Sequence, residues 1–246
     1  MPAKGERVAV PIEQVAKERG ADLLIGETFR ESHTVFVVPT RGSIPVEVAE
    51  KWRELLNIPN QGWHWIFLKS FEVADAYNTA IQSILDNPTL SKWKYVMTLE
   101  DDNLPPADAW PKLLKSLVKF GLDGVSGLYW AKGEDGFPLI MGNARQFNER
   151  GVMDFSIQDP VEISRLGDVV EVNSIPMGCA LFRLDLFREM EKPWFTTLAA
   201  LDKNTGAPFY RTQDVFFSER ARWKGKRFAV DMRVKVGHLD DQGRIW

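Results

Sequence analysis

The chemistry-bearing residue types of this chain concentrate in three consecutive acids, Glu100-Asp101-Asp102, which end the apolar run Tyr95-Val-Met-Thr-Leu99 and precede Asn103-Leu-Pro105-Pro106. A short apolar run stopped by a turn signal is the pattern of a buried strand. Three carboxylates at the end of such a strand repel one another unless a cation neutralises them. Their oxygens are hard ligands, suited to Mg²⁺ or Mn²⁺. An acidic turn facing bulk water has the same composition, so the run alone does not decide. Two later residues carry chemistry of the same kind. Asp214 opens a helical stretch in Thr212-Gln213-Asp214-Val215, where a cap or first-turn acid is the plain alternative. His238, one of three histidines, follows a strand and a glycine in Val236-Gly237-His238-Leu239, where a surface histidine is the plain alternative.

Strands and helices must bring these pieces together. Thr34-Val-Phe-Val-Val38 is a β-rich run stopped by Pro39-Thr40-Arg41-Gly42. A helix opened by proline is predicted over Pro45 to Leu56, a strand over Trp63 to Leu68, a helix over Glu72 to Leu85 and a strand over Trp93 to Leu99. Such alternation means βαβ units with parallel strands, and ligands of open sheets sit at the strands' carboxyl ends. The Pro39–Gly42 loop and the acid run share that edge. A helix is predicted over Asp108 to Phe120 and a strand over Gly124 to Tyr129. Residues 130–170 lose periodicity and read as loops and hairpins, a length that is usually functional. Strands return over Val169 to Ile175 and Met177 to Arg183, then a helix over Leu184 to Met190. A helix over Thr212 to Trp223 and one or two strands over Arg227 to Val236 follow. Residues 1–33 hold a short helix, Ile12 to Arg19, of no assignable role.

With 246 residues, 44% hydrophobic and 26% charged, the composition is that of a globular protein with a sizeable core. No apolar run approaches the roughly 20 residues of a membrane span. The N-terminus lacks the apolar core of a secretory signal. A lone cysteine, Cys179, leaves no internal disulfide and no cysteine-based zinc cluster. A cytoplasmic protein is the simplest fit. Net charge is −3, yet residues 211–246 carry nine Lys/Arg against five Asp/Glu, or +4, leaving −7 for the rest. That asymmetry suggests a basic face near the C-terminus or simply a solvated helix.

The order of these motifs resembles the GT-A-type glycosyltransferases, most nearly their inverting family 2 branch. The matching pieces are Pro39-Thr40-Arg41-Gly42, Glu100-Asp101-Asp102, Met177-Gly-Cys-Ala-Leu-Phe-Arg183, Gln213-Asp214 and Gly237-His238, spanning residues 34–240. Glu100 stands where that family often has Asp, and Gln213 where it usually has an acid. The resemblance implies an α/β fold with a mostly parallel central sheet and flanking helices. It also implies an N-terminal extension, 1–33, before one catalytic domain, 34–246, with a nucleotide-binding half, 34–129, and an acceptor half, 130–246.

By the same resemblance Asp102 and His238 are expected to ligate Mn²⁺ or Mg²⁺, the imidazole favouring Mn²⁺. Asp214 is the expected general base. Pro39, Thr40, Arg41, Gly42, Asn78, Glu100 and Asp101 would bind the donor, a nucleotide-diphosphate sugar such as a UDP-sugar, with Tyr77 beside them. Trp130, Met177, Gly178 and Gln213 would border the sugar and acceptor. Trp130 and Trp194 are candidate sugar platforms, against core packing as the alternative for any of nine tryptophans. The acceptor is a saccharide or other small hydroxyl compound. Hydroxymethylated pyrimidine in DNA is the second option, suggested by Arg220, Arg222, Lys224, Lys226 and Arg227. A nucleotidyltransferase and a non-catalytic sugar-nucleotide-binding module remain alternatives from other classes.

Overall fold

In the first strand β1 (Thr34–Thr40), successive side chains divide between two layers: Val35 and Val37 pack on one face, Phe36 and Val38 on the other. That division is the two-residue period of a strand buried on both faces. The computed structural model describes residues 32–55, 62–133, 136–142, 153–201 and 208–246. The helix expected over Ile12 to Arg19, and all of the N-terminal extension before Ser32, lie outside the described residues.

After β1 come α1 (Val46–Leu55), β2 (Trp63–Lys69), α2 (Val73–Asp86), a 3₁₀ turn (Leu90–Lys92), β3 (Tyr95–Leu99) and β4 (Asn103–Leu104). Then follow α3 (Ala109–Lys119), β5 (Gly124–Leu128), α4 (Pro160–Ser164), β6 (Val169–Val172), β7 (Cys179–Arg183) and α5 (Leu184–Glu189). The chain closes with β8 (Leu198–Leu201), β9 (Pro208–Arg211), α6 (Gln213–Trp223), β10 (Phe228–Lys235) and β11 (Gly237–His238). Seven strands form one sheet in the order β2-β1-β3-β7-β5-β10-β6. β1 is parallel to β2 and β3, and β5 to β10, whereas β7 and β6 run against their neighbours. Five of the seven strands therefore point the same way, which is the mostly parallel sheet expected.

Helices cover both faces. α2 opens where the Glu72 carboxylate accepts from the Ala74 and Asp75 amides at 2.8 and 3.2 Å, and it buries Ala76, Tyr77, Ala80, Ile81 and Ile84 against one side. α1 and α3 bury Val48, Trp52, Trp110, Leu113 and Leu117 against the other. Each fully buried large apolar side chain contributes about 1.5–3 kcal/mol.

Two departures bear on the site. β7 enters antiparallel between β3 and β5, so it interrupts the parallel order that strand–helix alternation leads one to expect. After β5, the Ala131 amide donates to Phe137 O at 2.8 Å and an antiparallel bridge joins Trp130 and Pro138.

Candidate functional site

The acid run is a turn clamped from three sides. Its Glu100 amide donates to Gly178 O at 3.2 Å, just before β7. The Asn103 carbonyl accepts from the Trp52 indole of α1 at 3.2 Å. β4 pairs with β11, setting Asn103 against His238, and the Leu239 amide donates to Asp102 O at 2.8 Å. Backbone bonds thus fix Asp102 beside His238. Gly178 is required for this fit, since a Cβ there would lie 2.1 Å from Asn103 Oδ1 and 2.6 Å from the Tyr129 hydroxyl.

His238 Nδ1 lies 2.7 Å from the Trp130 carbonyl. A carbonyl only accepts, so Nδ1 carries a proton and Nε2 is the ring atom turned toward Asp102. Nε2 stands 3.6 Å from Asp102 Oδ1, and that oxygen is buried without a hydrogen-bond partner. Two ligand atoms each about 2.1 Å from one cation are separated by roughly 3–4 Å, so these residues fit a shared divalent ion. Among the described residues no third Asp, Glu, His or Cys joins them; further ligands would be water or substrate oxygens. Asp102 Oδ2 accepts from the Lys132 ammonium at 2.5 Å. Burial pushes the Asp102 acid up, but pairing with His238 and Lys132 outweighs it and holds the group below its ordinary range.

Glu100 is pushed up to about 7 by burial and by the charges of Asp102 and Asp214, despite the bond its carboxylate accepts from the Tyr77 hydroxyl at 3.3 Å. Asp101 Oδ2 accepts from the Arg41 amide at 3.0 Å, joining the two carboxyl-edge loops. Between them lies a cleft of about 210 Å³, lined by Pro39, Thr40, Arg41, Phe71, Glu100, Asp101, Asp102 and Gln213. Gly42 shapes its rim with φ 113°, and its amide donates to the Thr40 hydroxyl at 3.0 Å. Asp214, in the first turn of α6, accepts from the Thr212 hydroxyl and from the Val215 amide. Burial raises it above the ordinary carboxylate range, and its charge also raises Glu100, Tyr77 and Tyr129.

Four expected ligand-facing residues are placed elsewhere. The Asn78 amide is spent on the chain at 194–195: Nδ2 donates to Phe195 O at 2.7 Å and Oδ1 accepts from the Trp194 and Phe195 amides. The Trp194 ring is buried and donates to Phe187 O at 2.8 Å, so it is core and not a sugar platform. Met177 is buried in the α2-side core, and the Trp130 ring packs on that core while its carbonyl holds His238. The basic segment is committed to protein acceptors. Arg220 donates to Pro193 O and Arg222 to Lys226 O; Lys224 pairs with Glu191, Lys226 with Glu189 and Arg227 with Glu171. Lys132, Phe71 and Tyr129 belong to the site without any motif that singles them out; Lys132 lies in a stretch with no periodicity.

The sheet order, the two layers of helices and a carboxyl-edge cleft define a GT-A-type fold. The crystal structure of A197 from STIV superposes with a TM-score of 0.58 at 16% identity, covering 87% of this chain and 92% of that one. The crystal structure of GalNAc-T7 with UDP, GalNAc and Mn²⁺ superposes with a TM-score of 0.50 at 10% identity. That match covers 85% of this chain but 44% of GalNAc-T7. At these identities the likeness shows the fold alone. No protein-family profile and no curated protein matches the chain.

Proposed function

We propose that this protein is a metal-dependent glycosyltransferase of the inverting family 2 kind, moving a sugar from a nucleoside-diphosphate sugar, UDP-linked by preference, to an acceptor hydroxyl. The observation that carries this reading is the buried, unpartnered Asp102 Oδ1 facing His238 Nε2 at 3.6 Å, in a carboxyl-edge cleft of a GT-A-type fold. The crystal structure of GalNAc-T7 holds UDP and Mn²⁺ and shares that fold, which supports both partners here. Asp102 and His238 would hold Mn²⁺ or Mg²⁺, which supplies Lewis-acid stabilisation of the charge growing on the leaving diphosphate. Pro39, Thr40, Arg41, Asp101 and Glu100 would seat the nucleoside and donor sugar. Asp214 would take the proton of the acceptor hydroxyl as its oxygen attacks the anomeric carbon and the bond to the diphosphate breaks. Burial raises its basicity, which suits that role. One such displacement inverts the anomeric centre.

In this reading residues 34–246 are one catalytic domain whose donor half ends near residue 129, and the protein works in the cytoplasm. No helix among the described residues is long and apolar enough to cross a membrane. A saccharide or small hydroxyl acceptor is favoured over DNA, because the basic residues beside α6 are already paired with protein groups. Asp214→Asn is expected to lower turnover by about 10²–10⁴-fold with donor affinity little changed. Proton NMR of the first product formed reads the stereochemistry, and a retained anomeric configuration would contradict the assignment of Asp214.

A further inference from the structure

Lys132 enters the site from a short loop that also controls His238. Two residues before it, the Trp130 carbonyl accepts a hydrogen bond from His238 Nδ1, and Lys132 itself donates to Asp102 Oδ2 at 2.5 Å. The pair is only partly exposed, 26% and 22%, so water screens it less than an ordinary surface pair. The surroundings are acidic: Glu100, Asp101 and Asp102 are consecutive, and burial first, then the charges of Asp102 and Asp214, push the Glu100 acid up to about 7. The Arg41 guanidinium turns outward to Asp241 at 3.7 Å and is 79% exposed. Among the described residues, the Lys132 ammonium is therefore the Lys or Arg head group in contact with Asp102. It satisfies one Asp102 oxygen and leaves the other, Oδ1, buried and unpartnered toward His238.

We infer that Lys132 is a placeholder cation, which neutralises Asp102 until a divalent ion and nucleoside diphosphate bind and then transfers its ammonium to a diphosphate oxygen. The inference rests on the proposed metal-dependent function. An ammonium on a flexible stem has three donors and can exchange one acceptor for another without a backbone change. A divalent ion takes over the Asp102 charge, and the diphosphate brings new anionic oxygens to the same place. The ion pair then competes with metal binding, while the freed ammonium favours the nucleotide. Lys132 is a positioning residue for Asp102 before ligands bind and a diphosphate ligand once they are bound.

The two roles pull in opposite directions, which makes them separable. Lys132→Met keeps the aliphatic stem and removes the charge. Mn²⁺ alone, followed by its electron paramagnetic resonance signal, is expected to bind this variant about two- to fivefold more tightly than wild type. UDP in saturating Mn²⁺, followed by calorimetry, is expected to bind about tenfold or more weakly. Lys132→Arg, which keeps the charge, should recover most of the UDP affinity, and melting curves in chelator establish that both variants fold. If Lys132→Met weakens both ligands together, or alters neither while wild type binds both, the placeholder role is wrong and the proposed function stands. If wild type binds no Mn²⁺ with or without UDP, the proposed function fails and takes this inference with it.

Discussion

At the scale of single residues, Glu100 gives the stability of the protein a pH signature. Its acid is raised from 4.5 to about 7, chiefly by burial and then by Asp102 and Asp214. Between those two values the folded carboxyl keeps a proton that the unfolded chain has released. Its contribution is therefore most favourable at low pH, declines as pH rises and levels off above about 7, where the ionised group costs roughly 3 kcal/mol. Glu100→Gln removes that cost. In chelator, urea midpoints of the variant and wild type should separate in favour of the variant as pH rises from about 5 to about 8; parallel curves would contradict the account. Legibility differed sharply among such residues. Asp102, His238 and Asp214 stand out by type and motif order. Asn78 matches the motif order too, yet its amide is consumed by the backbone at 194–195, a contact between residues 117 apart that no local pattern encodes. Lys132 is the converse, a lysine in an aperiodic stretch that tertiary folding brings to Asp102.

At the scale of elements, the site depends on how the end of β3 is held against the start of β7 and against β11. Gly178 is the tightest point, because Asn103 and Tyr129 occupy the space a side chain would need. Gly178→Ala is expected to cost about 1–3 kcal/mol, the usual penalty of overpacking, and to displace the turn that carries Asp102. Chemical denaturation gives the first quantity; a loss of Mn²⁺ affinity larger than that of a distant variant of equal stability gives the second. An alanine variant as stable as wild type would show that the turn has slack. The alternation of strands and helices up to β5 was readable because β1, β3 and β5 are buried on both faces and the helices between them show one apolar face. The insertion of β7 was not, since its partners β3 and β5 lie more than 50 residues earlier in the chain and the strand's own apolar run carries no mark of pairing direction. The antiparallel pair β8 and β9 and the short helix α4 are only four or five residues long each, too brief for periodicity to reveal.

At the scale of the whole molecule, charge placement argues about partners. The +4 segment 211–246 suggested a polyanion-guiding face by composition, but its cations meet Glu171, Glu189, Glu191 and backbone carbonyls. Counterion release needs several unpaired Lys/Arg on phosphates. Duplex DNA is accordingly expected to show no more than weak binding at low salt and none near physiological salt, as read by fluorescence anisotropy. Tight binding with a steep salt dependence would restore DNA as the acceptor. The central claim is that the cleft between β1 and β3 breaks a sugar–diphosphate bond with a cation held by Asp102 and His238. Its most direct test is release of free nucleoside diphosphate from a panel of nucleotide sugars, UDP-linked donors included, with Mn²⁺, with excess chelator, and with Asp102→Asn. The account predicts Mn²⁺-dependent release from at least one donor, abolished by chelator and reduced to background in Asp102→Asn. Release that persists unchanged in chelator, or no release from any donor in Mn²⁺ with saccharide acceptors supplied, would contradict it.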